Sequence, residues 1–125
     1  AEVKNTLDDI PSSTWNAVHT GMRNVVKVEH NADIFSELNR IGLELSGKTG
    51  TAQQSKTHPD HGLFVGFAPS ANPEEAFAIR IANGYSSSRA AEVGRDVIKY
   101  YYGKASAEEI ITGKAAQIGS TSGGD

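Results

Sequence analysis

Hydrophobic positions change their period along the chain, and each change marks an element. Trp15, Val18, Met22, Val25 and Val26 recur at three- and four-residue spacings, which places them on one helix face. Ser12, Ser13 and Thr14 precede them with hydroxyls suited to an N-cap, so a helix is predicted to run to about Lys27. Ala32 to Leu38 carries a shorter helical stretch with Asp33 near its start. From Ile41 the period becomes two. Ile41, Leu43 and Leu45 alternate with Gly42 and Glu44, predicting a strand that continues through Ser46-Gly47-Lys48-Thr49-Gly50-Thr51-Ala52. Gln53 to His61 is polar, contains Pro59 and reads as a loop. Leu63 to Ala68 is apolar at successive positions, as in an interior strand covered on both sides. After a turn from Pro69 to Pro73, Glu75 to Ala82 alternates Phe77, Ile79 and Ile81 against Ala76, Ala78 and Arg80.

Short turns between the strands imply an antiparallel meander. Ser86, Ser87 and Ser88 supply caps for a second long helix, whose apolar stripe reads as Ala90, Val93, Val97 and Tyr101 and which Gly103 ends. A short helical stretch follows at Ala105 to Ile111. The fold class is therefore α+β, a three-stranded antiparallel meander flanked by N- and C-terminal helices, with residues 1–114 in one unit and 115–125 a flexible polar tail. So small a sheet with an interior-looking strand predicts that further strands or helices come from elsewhere.

The chain has 125 residues, enough for one domain and too few for a multidomain enzyme. Twelve basic against 15 acidic residues leave a net charge of −3 with no basic cluster, which argues against nucleic acid as a partner. No apolar run approaches the ~20 residues of a membrane span. The absence of Cys excludes disulfides, zinc ribbons and thiol catalysis. The start at Ala1, in polar sequence, suits a processed product or a piece of a longer protein.

His58-Pro59-Asp60-His61 spaces two imidazoles and a carboxylate closely, yet Pro59 disrupts the helical geometry a metal would need, and an ordinary loop is expected with no metal site. His19 falls on a helix flank and His30 in a loop. Tyr100, Tyr101 and Tyr102 point in different directions on a helix, Tyr101 sharing the Val97 stripe.

The most informative stretch runs Lys48-Thr49-Gly50-Thr51-Ala52-Gln53, then, after the loop, His61-Gly62-Leu63-Phe64-Val65-Gly66-Phe67-Ala68-Pro69, then Asn72-Pro73-Glu74 and the third strand. Lys-Thr-Gly on a strand is one of three signatures of the serine penicillin-interacting enzymes. Together with the helix carrying Gly21-Met22 and the loop from Gly84 to Ala91 into a helix, the chain from Trp15 to Tyr102 resembles the transpeptidase domain of penicillin-binding proteins, of the high-molecular-weight monofunctional (class B) type. Gly62 and Leu63 stand where that family often has Ala and Trp.

The resemblance implies membership of the larger serine β-lactamase/transpeptidase-like sheet and a set of roles. A rim strand pairs its backbone with an extended peptide or a β-lactam amide, and Gly50 lets that backbone approach. The Thr51 N–H would be one of two oxyanion-hole donors, the other belonging to the nucleophilic serine. Thr49 and Thr51 hydroxyls would hold the substrate's terminal carboxylate, and Lys48 would supply positive potential and order neighbouring hydroxyls. The bland alternative for Lys48 is a surface lysine paired with Glu44.

The family's other motifs are missing. No Ser is followed three positions later by Lys, and the one Ser-x-Asn, Ser70-Ala71-Asn72, comes after Lys48 and reads as a turn. The chain is thus expected to be the C-terminal part of a transpeptidase domain, inactive alone, with the remainder of the domain, the peptidoglycan stem peptide and β-lactams as partners. No metal or organic cofactor is implied. The resemblance further implies a role in cell-wall construction and cell shape, at the extracytoplasmic face of the bacterial membrane, through an anchor that is not in this chain. The alternatives are a fragment of a serine β-lactamase or β-lactam sensor, and a non-catalytic interaction module.

Overall fold

In the computed structural model, residues 6–28 and 31–112 are described. Four helices, α1 (Ser12–Lys27), α2 (Ala32–Arg40), α3 (Ser87–Tyr101) and α4 (Ala107–Ile111), flank three strands, β1 (Ser46–Ala52), β2 (His61–Ala68) and β3 (Glu75–Ile81). The strands form one antiparallel sheet in the order β1-β2-β3, the expected meander within an α+β fold. His30 and the tail at 115–125 lie outside the described residues.

Two of the helix boundaries follow from glycine. At the end of α2, Gly42 takes φ +75°, and the Gly42 and Leu43 amides donate back to the Asn39 and Leu38 carbonyls at 3.2 and 2.9 Å. This is a Schellman cap, and its accompanying apolar contact joins buried Leu43 to buried Leu38. The alternation at Ile41, Leu43 and Leu45 is therefore a helix cap followed by an extended link, and the strand begins at Ser46 rather than Ile41. Gly103 ends α3 in the same way, at φ +63°, with the Lys104 amide on the Lys99 carbonyl at 2.7 Å.

At the start of α1 the expectation also needs correcting. Pro11 is the N-cap residue and makes no side-chain cap, so the Ser12, Ser13 and Thr14 hydroxyls sit inside the first turn. Ser86 does cap α3, accepting from the Ser88 amide at 3.2 Å.

The core lies between one face of the sheet and the helices. Phe64 of β2 stacks on Phe35 of α2 at 5.4 Å and meets Phe77 of β3 at 5.7 Å, with Val26, Leu38, Leu45 and Ile98 buried around them. The face of α3 that enters this core is Ala90, Ala91, Gly94 and Ile98. Val93, Val97 and Tyr101, expected to be the packed stripe, are 42–55% exposed, because small residues let α3 come close to the Phe64 ring while valines at the same place would hold it off.

β2 is not covered on both sides among the described residues. Its Phe64 face is buried, but Val65 on the other is 45% exposed, beside Ala76 and Ala78 of β3, which are exposed too.

Two ion pairs tie helices into this frame. Lys99 of α3 donates to Glu37 of α2 at 2.7 Å, an almost fully buried lysine neutralised where burial would otherwise be costly. Arg23 of α1 donates to Glu44 at 2.6 Å and to the Leu45 carbonyl at 3.3 Å, fixing the entry to β1.

Two tests follow for this frame. Gly42→Ala is expected to cost about 1 kcal/mol in urea unfolding, the penalty of a Cβ in the left-handed region; an unaltered midpoint would contradict the cap. The hydrogen bond and charge of Arg23 hold the Glu44 carboxyl below its ordinary 4.5. A lowered carboxyl pKa adds stability above the ordinary value, and that stability is lost as the pH falls through the lowered one. With Glu44 half exposed, the pair is worth under about 1 kcal/mol. Glu44→Gln should therefore be slightly less stable than the parent near neutrality and equal to it in acid, and a gap that persists into acid would rule out this pair as its source.

Candidate functional site

β1 carries Lys48, Thr49, Gly50 and Thr51 on an edge, paired with β2 on one side and, among the described residues, with no strand on the other. Every second residue of an edge strand directs its N–H and C=O outward, ready to pair with another extended backbone. Alternation sorts the side chains. Lys48 and Gly50 stand opposite Val65 and Leu63 on the open face, while Thr49 and Thr51 stand opposite Phe64 and Gly62 on the core side. Lys48 and Thr51 are exposed; Thr49 and Gly50 are half-buried.

Lys48 donates from Nζ to the Thr49 carbonyl at 2.8 Å and makes no ion pair among the described residues. Glu44, its expected alternative partner, is taken by Arg23, so the ammonium is left as an exposed positive charge beside the strand edge. At Gly50 a Cβ would meet Leu63 at 3.5 Å, an ordinary contact. The fold itself has no need of glycine there.

The beginning of β1 is held by a pair of serines. Buried Ser46 shares a hydroxyl–hydroxyl hydrogen bond of 2.6 Å with Ser70, whose amide donates to the Glu44 carbonyl at 2.8 Å. Ser70 is thus the turn residue expected, with a bracing role the sequence did not reveal.

The far end of β1 is bordered by residues 53–60 and by the turn from β3 into α3. Gln53 to His61 was expected to be loop throughout, but His61 is the first residue of β2 and is buried. Its ring lies within hydrogen-bond reach of Gln54 Oε1 at 2.5 Å, the Asn83 amide at 2.9 Å and Arg80 Nη2 at 3.1 Å. No periodic signal marks such a residue, and only its place between a polar loop and an apolar strand sets it apart. His58 keeps to local bonds with Ser55 and Thr57, and among the described residues no three His, Cys, Asp or Glu gather as a metal would require.

The other sequence candidates fall elsewhere. His19 lies on the flank of α1 between Trp15 and Phe67, at ring distances of 6.0 and 5.2 Å. Tyr101 is exposed and donates to Glu75 at 2.5 Å, a bond to an anion that raises its phenol pKa. Burial and then the Glu74 carboxylate raise Tyr102, which bonds the Ala68 carbonyl at 3.2 Å. Neither ring stands on β1.

Known proteins resemble this chain in sequence and fold. The family described as the penicillin binding protein transpeptidase domain matches residues 2–99. The peptidoglycan D,D-transpeptidase MrdA of Acinetobacter baumannii is 39% identical over 101 residues, covering 70% of this chain and 14% of that protein. Among solved structures, Pseudomonas aeruginosa PBP2 in complex with WCK 5153 aligns with TM-score 0.63 and 34% identity over 81% of this chain and 23% of that one. The imipenem acyl-enzyme complex of penicillin-binding protein A from M. tuberculosis aligns with TM-score 0.59 and 29% identity over 72% and 19%. The chain thus spans only a small part of each relative's length. A Lys-Thr-Gly-Thr edge strand, a meander with helices packed on its core face and a family match over most of the sequence agree: the chain belongs to the penicillin-binding protein transpeptidase family.

Proposed function

We propose that this chain forms one wall of the acyl-transfer cleft of a peptidoglycan D,D-transpeptidase, with the nucleophilic serine supplied from sequence outside it. The observation that carries this reading is the edge of β1, unpaired among the described residues, with the Lys48 ammonium exposed beside it. An extended stem peptide adds to that edge as a further strand. Because N–H and C=O leave a given strand residue on the same side and the sides alternate, Thr49 and Thr51 share one edge, which this reading takes as the outer one.

In the complete cleft the serine of Ser-x-x-Lys attacks the carbonyl of the stem peptide. The Thr51 N–H, with the serine's own N–H, receives the negative charge that develops on the carbonyl oxygen. The amine of the leaving residue departs with a proton, leaving an acyl-serine, and an amine from a neighbouring strand then attacks it and restores the serine. Lys48 holds the substrate carboxylate electrostatically, and the Thr49 and Thr51 hydroxyls donate to it. Gly50 lets the substrate backbone lie against the strand. A β-lactam enters as a cyclic amide whose leaving group stays attached, so the acyl-serine persists. No step uses a metal or organic cofactor.

The remainder of the domain, carrying Ser-x-x-Lys and Ser-x-Asn, is the required partner, and it would cover the open Val65 face. Activity at the extracytoplasmic face of the membrane, an anchor outside this chain and a part in cell shape belong to the same reading.

Gly50 separates function from folding. In the complete domain, Gly50→Ala is expected to leave the thermal midpoint nearly unchanged, since the added methyl meets Leu63 at an ordinary distance, while slowing acylation by a labelled penicillin on the order of a hundredfold through misplacement of the acyl donor. Lys48→Ala should weaken penicillin capture without unfolding the domain. Parent-like acylation by Gly50→Ala would sink the substrate-strand reading.

A further inference from the structure

We propose that His61 is a positioning residue for β1, held as its Nε2–H tautomer so that it ties the chain leaving β1 to the turn that enters α3. This proposal rests on the reading of β1 as the substrate strand, and the geometry behind it comes from the ring's own partners.

The Asn83 amide lies 2.9 Å from Nδ1. A backbone N–H can only donate, so Nδ1 must present its lone pair, and in a neutral imidazole the proton then sits on Nε2. Nε2–H is aimed at Gln54 Oε1, 2.5 Å away, an acceptor. Arg80 Nη2, 3.1 Å from the same nitrogen, can only donate and so forms no hydrogen bond with Nε2–H; the Asn83 amide, which requires a lone pair at Nδ1, is what selects the tautomer. With both nitrogens engaged, the ring is not free to take a proton from a nucleophile. It is a strut.

Three adjoining residues, Asp60 just before β2 and His61 and Gly62 at its start, make that strut effective. Asn83 and Tyr85 both have left-handed backbones, φ 53° and 63°, a conformation that persists in non-glycine residues when the surroundings impose it. The Tyr85 amide donates to the Asp60 carbonyl at 3.1 Å, and the Asn83 amide to His61. Gly62 completes the anchor: a Cβ there would come within 2.4 Å of the Ser86 carbonyl oxygen, so the backbone leading into α3 rests directly on the strand. Gly62 is the cross-strand partner of Thr51, and His61 that of Ala52. The turn is therefore seated on the two residues that pair with the end of β1, and Gln54, two residues beyond β1, is held by the same ring. Release of either bond would free the end of the strand that presents the Thr51 N–H.

Two variants test this in the complete transpeptidase domain. His61→Asn keeps an oxygen near the Nδ1 position to accept from Asn83 but removes the donor to Gln54; Gln54→Leu, at an exposed position, removes the acceptor. Each is expected to slow the acylation step at saturating labelled penicillin on the order of tenfold, with little change in half-saturation, and the double variant to be no slower than either single, because all three lack one bond. Amide exchange at Ala52, whose N–H the same alternation turns toward its partner His61, should quicken in Gln54→Leu. In the parent, long-range proton–nitrogen spectra of ¹⁵N-histidine should show a protonated Nε2 and a bare Nδ1 for His61. An Nδ1–H tautomer, unchanged Ala52 exchange, additive losses in the double variant or parent-like rates would each overturn the proposal. A parent domain that takes no penicillin at all while showing the expected ring spectrum and exchange would overturn the substrate-strand reading, and with it the link to acylation, but leave the strut standing.

Discussion

Phe64 stands in the middle strand with no exposed surface, and every layer of the fold closes on its ring. Phe35 stacks on it from α2 and Phe77 tilts against it from β3. Gly47 of β1 and Gly94 of α3 lie so near that a methyl at either would fall within 2.4 and 2.8 Å of ring carbons. Burial of such a ring is worth roughly 1.5–3 kcal/mol, but its larger consequence is geometric. One side chain sets the distance of two helices and two neighbouring strands from the centre of the sheet. It is also the cross-strand partner of Thr49, so the packing that organises the core reaches the candidate site in one step.

That arrangement makes the two faces of the sheet unequal. Alternation sends Gly62, Phe64, Gly66 and Ala68 toward the helices and leaves Leu63, Val65 and Phe67 on the side where Lys48 and Gly50 also lie. α1 reaches this second side at Phe67 through His19, and Val65 remains open. A half-covered apolar face beside an unpaired strand edge is uncommon in a self-sufficient domain. It is the expected state of a family member spanning a small fraction of its relatives' length.

Strongly periodic elements could be read from the chain, and so could the Lys-Thr-Gly strand. Two misreadings share a cause: the sequence pattern was produced by contacts it does not record. Leu43 mimics a strand position because a Schellman cap brings it back onto Leu38. Val93 and Val97 outrank Ala90 and Gly94 in hydrophobicity, yet the ring of Phe64 leaves room only for the smaller pair. The bland alternative for Lys48, a pair with Glu44 four positions before it, is set aside by a contact the sequence does not record: the guanidinium that takes Glu44 comes from α1, 21 residues away in sequence. His61 had no pattern to betray it, since its partners come from three separate segments.

The same contacts separate residues the fold consumes from those it leaves over. Gly47, Gly62 and Gly66 are each pressed by a ring or a carbonyl, so packing accounts for them. Gly50 is not: its missing methyl would be tolerated by everything the chain itself provides. Lys48 likewise has the carboxylate of its bland alternative taken by Arg23, and Thr51 is exposed near the end of the strand. A lysine, a glycine and a threonine on this one strand, none accounted for by packing among the described residues, direct the explanation outward to whatever that strand receives. In the proposed function, an extended backbone ending in a carboxylate satisfies all three at once, the glycine by approach, the lysine by charge and the threonine by donation.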